Sequence, residues 1–162
     1  MSVIKISNLT KDYGNNKGVF NLSFEIPKGE VFGFLGPNGA GKTTTIRHLL
    51  GFLNADEGEC SINGLDCRTQ SKKIQKSLGY LPGEIEFFDE MKGIEYLKFV
   101  AELNEMKDFT RMNELIEFFE LDPKGKIKKM SKGMKQKIGI VSAFMTNYNA
   151  PTCQDNFLAF LS

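Results

Sequence analysis

The stretch GPNGAGKTT, residues 36–44, constrains this chain more than any other. It satisfies G-x-x-x-x-G-K-[ST] in full. It follows a short apolar run (residues 31–35) and precedes a segment in which Ile46, Leu49, Leu50 and Leu53 share one helical face. Gly36, Gly39 and Gly41 let the backbone turn tightly and present N–H groups inward, where they cradle phosphate oxygens. The helix beginning near Lys42 adds its positive N-terminal end. Lys42 is placed to reach β- and γ-phosphates, and the Thr43 hydroxyl to ligate Mg²⁺. A strand–loop–helix unit is therefore expected, within an α/β fold, and the ligand class it suits is a nucleoside triphosphate.

Composition narrows the field by exclusion. A chain of 162 residues suffices for one domain with a sizeable core. Lys plus Arg number 21 against 20 for Asp plus Glu, so no global field argues for a nucleic-acid partner. The cluster Lys72, Lys73 and Lys76 reads as a solvated helix face. The N-terminal MSVIKISNLTKDYG lacks the apolar core of a signal peptide, and no stretch approaches the roughly 18 apolar residues that cross a bilayer. Cys60, Cys67 and Cys153 have no metal-ligand spacing and read as free thiols of a reducing cytosol. The single histidine, His48, reads as a helix residue without chemistry.

Along the chain, residues 3–9 (VIKISNL) and 22–26 (LSFEI) alternate as half-buried strands do, the second ending at Pro27. Residues 31–35 read as a buried parallel strand. Further strands are expected at 59–62 and 78–81, with a turn at Asn63-Gly64 and a short basic helix between them. From Gly93 the period changes. Ile94, Leu97, Val100 and Ala101 fall on one side of a helix, and RMNELIEFFEL makes a second with Leu115, Phe118 and Phe119 inward, ended by Asp122-Pro123. This is a helical insert, at about residues 85–130. Ser131 is a credible N-cap for a last helix through Ile138, Ile140 and Val141.

With these residues in place, the chain resembles the ATP-binding subunit of an ABC transporter from residue 3 to about 145. The resemblance implies a P-loop NTPase core with an antiparallel β-subdomain and a helical insert. Tyr13 stands where the family has the aromatic that stacks on adenine, and residues 36–44 form its Walker A loop. ATP binding would then involve Tyr13, Gly36, Asn38, Gly39, Gly41, Lys42, Thr43 and Thr44, with Mg²⁺ held through Thr43. The run Met130-Ser131-Lys132-Gly133-Met134 occupies the place of the LSGGQ signature. By that analogy Ser131 and Gly133 contact the ATP held by a second ATP-binding subunit in a head-to-tail dimer. A separate membrane-spanning permease would dock on the helical pair, placing the subunit in the cytoplasm against the inner face of the membrane. The runs GYLPGE and SKGMKQK are similar to a subgroup exporting drugs, peptides or antibiotics. Gly83, followed by Glu84, departs from the glutamine usual after the GYLP strand.

Residues 146–162 depart further. The family continues with an apolar strand, an Asp holding Mg²⁺ through water (Walker B) and a catalytic Glu. Here the text is TNYNAPTCQDNFLAFLS, with no apolar run before Pro151 and Asp155 as its only carboxylate. This tail is expected to be a frameshift or deletion product, leaving the sheet incomplete and residues 31–35 beside an open apolar edge. The expected chain binds ATP and hydrolyses it feebly or not at all. A non-catalytic nucleotide-binding module, a functionless product and a non-transport ATPase of the same family are the alternatives.

Overall fold

The computed structural model describes residues 2–82, 85–88 and 90–145. Within these the chain forms two compact units, residues 2–78 and 79–145.

The first unit is built on an antiparallel sheet of order β2-β1-β3-β4. Its strands are β1 (Ser2–Asp12), β2 (Gly18–Pro27), β3 (Glu57–Ile62) and β4 (Leu65–Asp66), with α1 (Lys42–Leu49) inserted between β2 and β3 and α2 (Ser71–Lys76) after β4. The alternation read in β1 is real but changes parity. Ile4 and Ile6 are buried, and then Leu9. The cause is a bulge: the ladders with β2 and β3 both shift register here, and Asn8 takes φ +51°, its N–H donating to Ser23 Oγ at 2.8 Å. The β3–β4 hairpin turns through Asn63 and Gly64, both at positive φ, as a right-twisted two-residue hairpin requires. In α2 only Ile74 is buried, and Lys72, Lys73 and Lys76 face solvent as expected.

One expectation fails in this unit. Residues 31–35 form no strand, and Val31 and Leu35 are almost wholly exposed. A parallel strand is stable when neighbours on both sides complete its hydrogen bonds and both its faces are covered. Among the described residues no ladder partner is present for it. The segment instead lays Phe32 on Phe24 of β2, ring centroids 5.2 Å apart, with Phe34 beside them.

The second unit packs α3 (Gly93–Leu103), α4 (Thr110–Phe118) and α5 (Lys132–Met145) around Leu97, Ala101, Met112, Leu115, Ile127, Ile138 and Val141. Entry into α3 is fixed by backbone bonds from Gly93 N–H to Gly125 O and from Ile94 N–H to Pro123 O. Gly93 is needed there, because a Cβ would stand 2.8 Å from Ile138 and 3.0 Å from the Pro123 carbonyl. Glu90 binds Lys126 at 3.0 Å and also Lys128, pinning the 3₁₀ turn Ile127–Lys129. Two corrections fall here. Phe118 is exposed, since the buried positions of α4, Met112 and Leu115, with Phe119 packed beside them, define an arc that leaves 118 outside. Residues 78–81 contribute no named strand among the described residues, only a single bridge at Gly79.

Asp56, just before β3, ties the end of β1 down. Its carboxylate accepts from Lys11 Nζ at 2.7 Å and from the Asp12 N–H at 2.9 Å. These bonds, the Lys11 one foremost, hold its pKa below the ordinary Asp value. A carboxyl depressed in the folded state stabilises above its unfolded pKa of about 3.9 and loses that contribution as pH falls through the folded value. Asp56→Asn should therefore lower the urea midpoint at pH 7, and the gap to the unsubstituted chain should narrow as pH falls toward 3. A gap that stays constant between those two pH values would show that ionisation of Asp56 plays no part.

Candidate nucleotide site

The loop between residues 36 and 41 wraps the start of α1. Gly39 and Gly41 lie at φ +86° and +84°, a conformation costly for any residue with a Cβ. Gly41 is doubly constrained, since a Cβ there would meet Val19 Cγ2 at 2.4 Å. That proximity brings the start of β2 against the loop, and with it the turn from β1 to β2 that carries Tyr13. This turn is closed by Tyr13 N–H to Lys17 O at 2.8 Å and braced by Asp12 Oδ1 accepting from Gly14 N–H at 2.7 Å. The Tyr13 ring is left more than half exposed.

Lys42 folds back over the loop. Its ammonium donates to the Gly36 carbonyl at 2.6 Å and the Pro37 carbonyl at 2.9 Å. The side chain is thus held over the loop. The first turn of α1 carries no acidic residue, so its positive end is not neutralised locally. Intrahelical bonding resumes with Thr45 N–H to Gly41 O at 2.9 Å, which leaves the N–H groups of Lys42, Thr43 and Thr44 among the helix's terminal donors. Thr43 is exposed and Thr44 half-buried, while Asn38 stands exposed in the loop. A cationic side chain, the terminal N–H donors and an exposed hydroxyl at a helix start fit a polyphosphate with its divalent cation.

Two contributors were not singled out in the sequence. Thr45, the third residue of the TTT run, returns its hydroxyl to the Gly41 carbonyl at 3.0 Å and is almost fully buried. The Asp12–Asp56 brace of the Tyr13 turn joins residues far apart in sequence. His48 is buried in α1 with Nδ1 2.8 Å from the Thr44 carbonyl, which agrees with a packing role.

The second unit carries the other predicted pair. Ser131 caps α5, its Oγ accepting from the Met134 N–H at 3.2 Å and its carbonyl from the Lys135 N–H at 3.0 Å. The expected N-cap is therefore formed. Gly133, in the first turn, has open space where a side chain would be. Gly139 lets the same helix approach Ile85 and Leu81 closely. Gly83 and Glu84 lie outside the described residues, as do residues 146–162 and the Walker B reading attached to them.

The family model described as ABC transporter matches residues 19–150. The chain belongs to the ABC transporter family. The bacitracin transport ATP-binding protein BcrA of Bacillus licheniformis is 35% identical over 146 residues, covering 89% of this chain and 48% of that protein. The Nod factor export ATP-binding protein I of Rhizobium etli is 33% identical over 153 residues, covering 91% and 48%. A solved structure of an ATP-binding subunit of an ABC transporter superposes with a TM-score of 0.79 at 28% identity, covering 90% of this chain and 62% of that one. The chain spans about half the length of the curated relatives it matches. Within the family the loop at residues 36–44 is the P-loop of a nucleotide-binding domain. No helix among the described residues is long and apolar enough to cross a membrane.

Proposed function

We propose that this chain is the P-loop and signature portion of an ATP-binding subunit that energises export of a small molecule or peptide through a separate permease. The observation that carries the reading is Lys42, held by two carbonyls of the glycine-rich loop beside a helix start that bears no acid. In this reading Lys42 leaves those carbonyls for the β- and γ-phosphates, and Gly36, Asn38, Gly39 and Gly41 line the loop around them. Thr44 lies against the phosphates from the helix start, and Tyr13 stacks on adenine. Thr43 holds Mg²⁺, which supplies neutralisation of the phosphate oxygens. Ser131 and Gly133, at the positive start of α5, face the ATP of a second subunit. The helical pair α3–α4, with Phe118 and Leu103 exposed, is the docking face for the permease on the inner side of the membrane. Export is favoured by the bacitracin and Nod factor relatives.

A second reading keeps binding and drops catalysis. It is favoured by the sequence after α5, where Asp155 is the only side-chain carboxylate and no apolar run precedes it. Such a module would occupy a partner subunit in an unproductive complex, and would co-purify with a complete subunit in ATP without turnover.

The test of the binding site is Lys42→Ala, assayed by calorimetric titration with Mg-ATP. Removing a charged donor to phosphate is expected to weaken binding about ten- to a hundredfold. Equal affinity for the two chains would overturn the assignment of Lys42, and no affinity in either would overturn the site.

A further inference from the structure

The β3–β4 hairpin holds a feature that the nucleotide site does not use. Ser61 pairs with Asp66 and Ile62 with Leu65, and the next rung brings Cys60 opposite Cys67. The rung is closed by Cys67 N–H donating to Cys60 O at 3.0 Å. Opposed residues of a hydrogen-bonded antiparallel pair have Cα atoms about 5.5 Å apart, inside the roughly 4.4–6.8 Å range that a disulfide spans. Both thiols are free. They differ in access: Cys67 is fully buried, whereas Cys60 is half-buried and reaches solvent.

We propose that Cys60 and Cys67 are a peroxide-reactive pair, Cys60 being oxidised first and Cys67 closing a cross-strand disulfide. The neighbouring Cys67 thiol lowers the Cys60 pKa from the ordinary thiol value, while burial, Asp66 and Glu59 oppose this. The neighbouring Cys60 sulfur, and then burial, push Cys67 up, so it stays protonated. The division of labour follows from thiolate character and access. In the first step the Cys60 thiolate attacks a hydroperoxide. An S–O bond forms, the O–O bond breaks and the leaving oxygen takes a proton, giving an alcohol or water and a Cys60 sulfenic acid. In the second, the Cys67 sulfur attacks the Cys60 sulfur. The S–S bond forms, the S–O bond breaks, and the departing hydroxide takes the Cys67 proton as water. Two thiols lose two electrons and the peroxide gains them.

The pair adjoins the far end of the P-loop helix. The Cys60 thiol lies 3.6 Å from the carbonyl of His48, in the last turn of α1. The Cys67 carbonyl would lie 2.7 Å from a Cβ on Gly51, whose N–H caps that same His48 carbonyl at 2.9 Å. Oxidation removes the thiol proton from this junction. The inference stands apart from the nucleotide assignment and is tested without nucleotide.

Trypsin cleaves after Arg47 and Arg68 and at no site between, so one peptide, residues 48–68, contains both cysteines and excludes Cys153. The folded chain is treated with hydrogen peroxide, quenched with acid, alkylated and digested. The expected peptide is unalkylated, lighter by two hydrogens, and restored to a dithiol by dithiothreitol. In Cys67→Ser, Cys60 should accumulate as sulfenic acid trapped by dimedone. In Cys60→Ser, Cys67 should stay unmodified while folded and react once the chain is unfolded in guanidinium. A peptide with both thiols alkylated after peroxide, a Cys60 sulfinate in the unsubstituted chain, or Cys60 joined to Cys153 would each overturn the proposal.

Discussion

ATP turnover by the 162-residue chain is expected to run about 10²–10⁴-fold below that of a complete ABC ATP-binding subunit, the usual worth of a positioned general base. The deficit arises from residue types. After α5 the sequence offers Asp155 as its single carboxylate, with no apolar run before it and no adjacent Glu. On the proposed reading, this stretch lacks the adjacent acidic pair that would orient an attacking water. The proposed nucleotide loop keeps Lys42 on the Gly36 and Pro37 carbonyls, and its helix start is free of acids. Binding and hydrolysis should therefore separate. Single-turnover assays with labelled ATP, alongside calorimetric titration, would show affinity retained and turnover lost. Turnover within a few-fold of a complete subunit would mean that a base comes from elsewhere in the chain.

The second large effect concerns the sheet rather than the loop. Gly58→Ala places a Cβ at φ +78°, 2.3 Å from the Asn8 carbonyl oxygen and 2.4 Å from that of Ser7. Those atoms are backbone on the adjacent strand and cannot swing aside. The left-handed conformation alone costs about 1–2 kcal/mol, and forcing strands apart typically adds about 1–3 kcal/mol. The sum, about 2–5 kcal/mol, is a large part of the roughly 5–15 kcal/mol available to a domain. Gly64→Ala is the control. It has almost the same φ, +75°, but open space around the position. It should lose only the conformational part, so the urea midpoint of Gly58→Ala should fall well below that of Gly64→Ala. Matching midpoints would show that the close approach at Asn8 relaxes without cost.

The comparison of these two glycines also shows what a sequence yields and what it withholds. Gly64 was legible, because Asn-Gly between alternating runs announces its turn. Gly58 was not, because its necessity comes from a bulge at Asn8, fifty residues earlier in the chain. The P-loop was legible for the same reason as the hairpin: its chemistry is local. Residues 31–35 misled because an apolar run states only that burial is favourable. Whether it becomes a strand depends on partners that the run does not contain. Phe118 misled because Phe119, with Met112 and Leu115, occupies the inward arc of α4 and leaves Phe118 just outside it. The cross-strand cysteines were visible as residues, yet their opposition required the register of β3 on β4.

The folded-back Lys42 has one more consequence. A side chain waiting in water would trade water for two charge-assisted bonds when phosphate arrives. Lys42 already has two, to Gly36 and Pro37, so nucleotide arrival is an exchange of acceptors. The enthalpy released by Lys42 is then only the difference between phosphate and carbonyl as partners. Most of the heat of binding must come from the N–H donors of the loop and the helix start. In calorimetry the signature would be a Lys42→Ala chain whose affinity falls much further than its binding enthalpy.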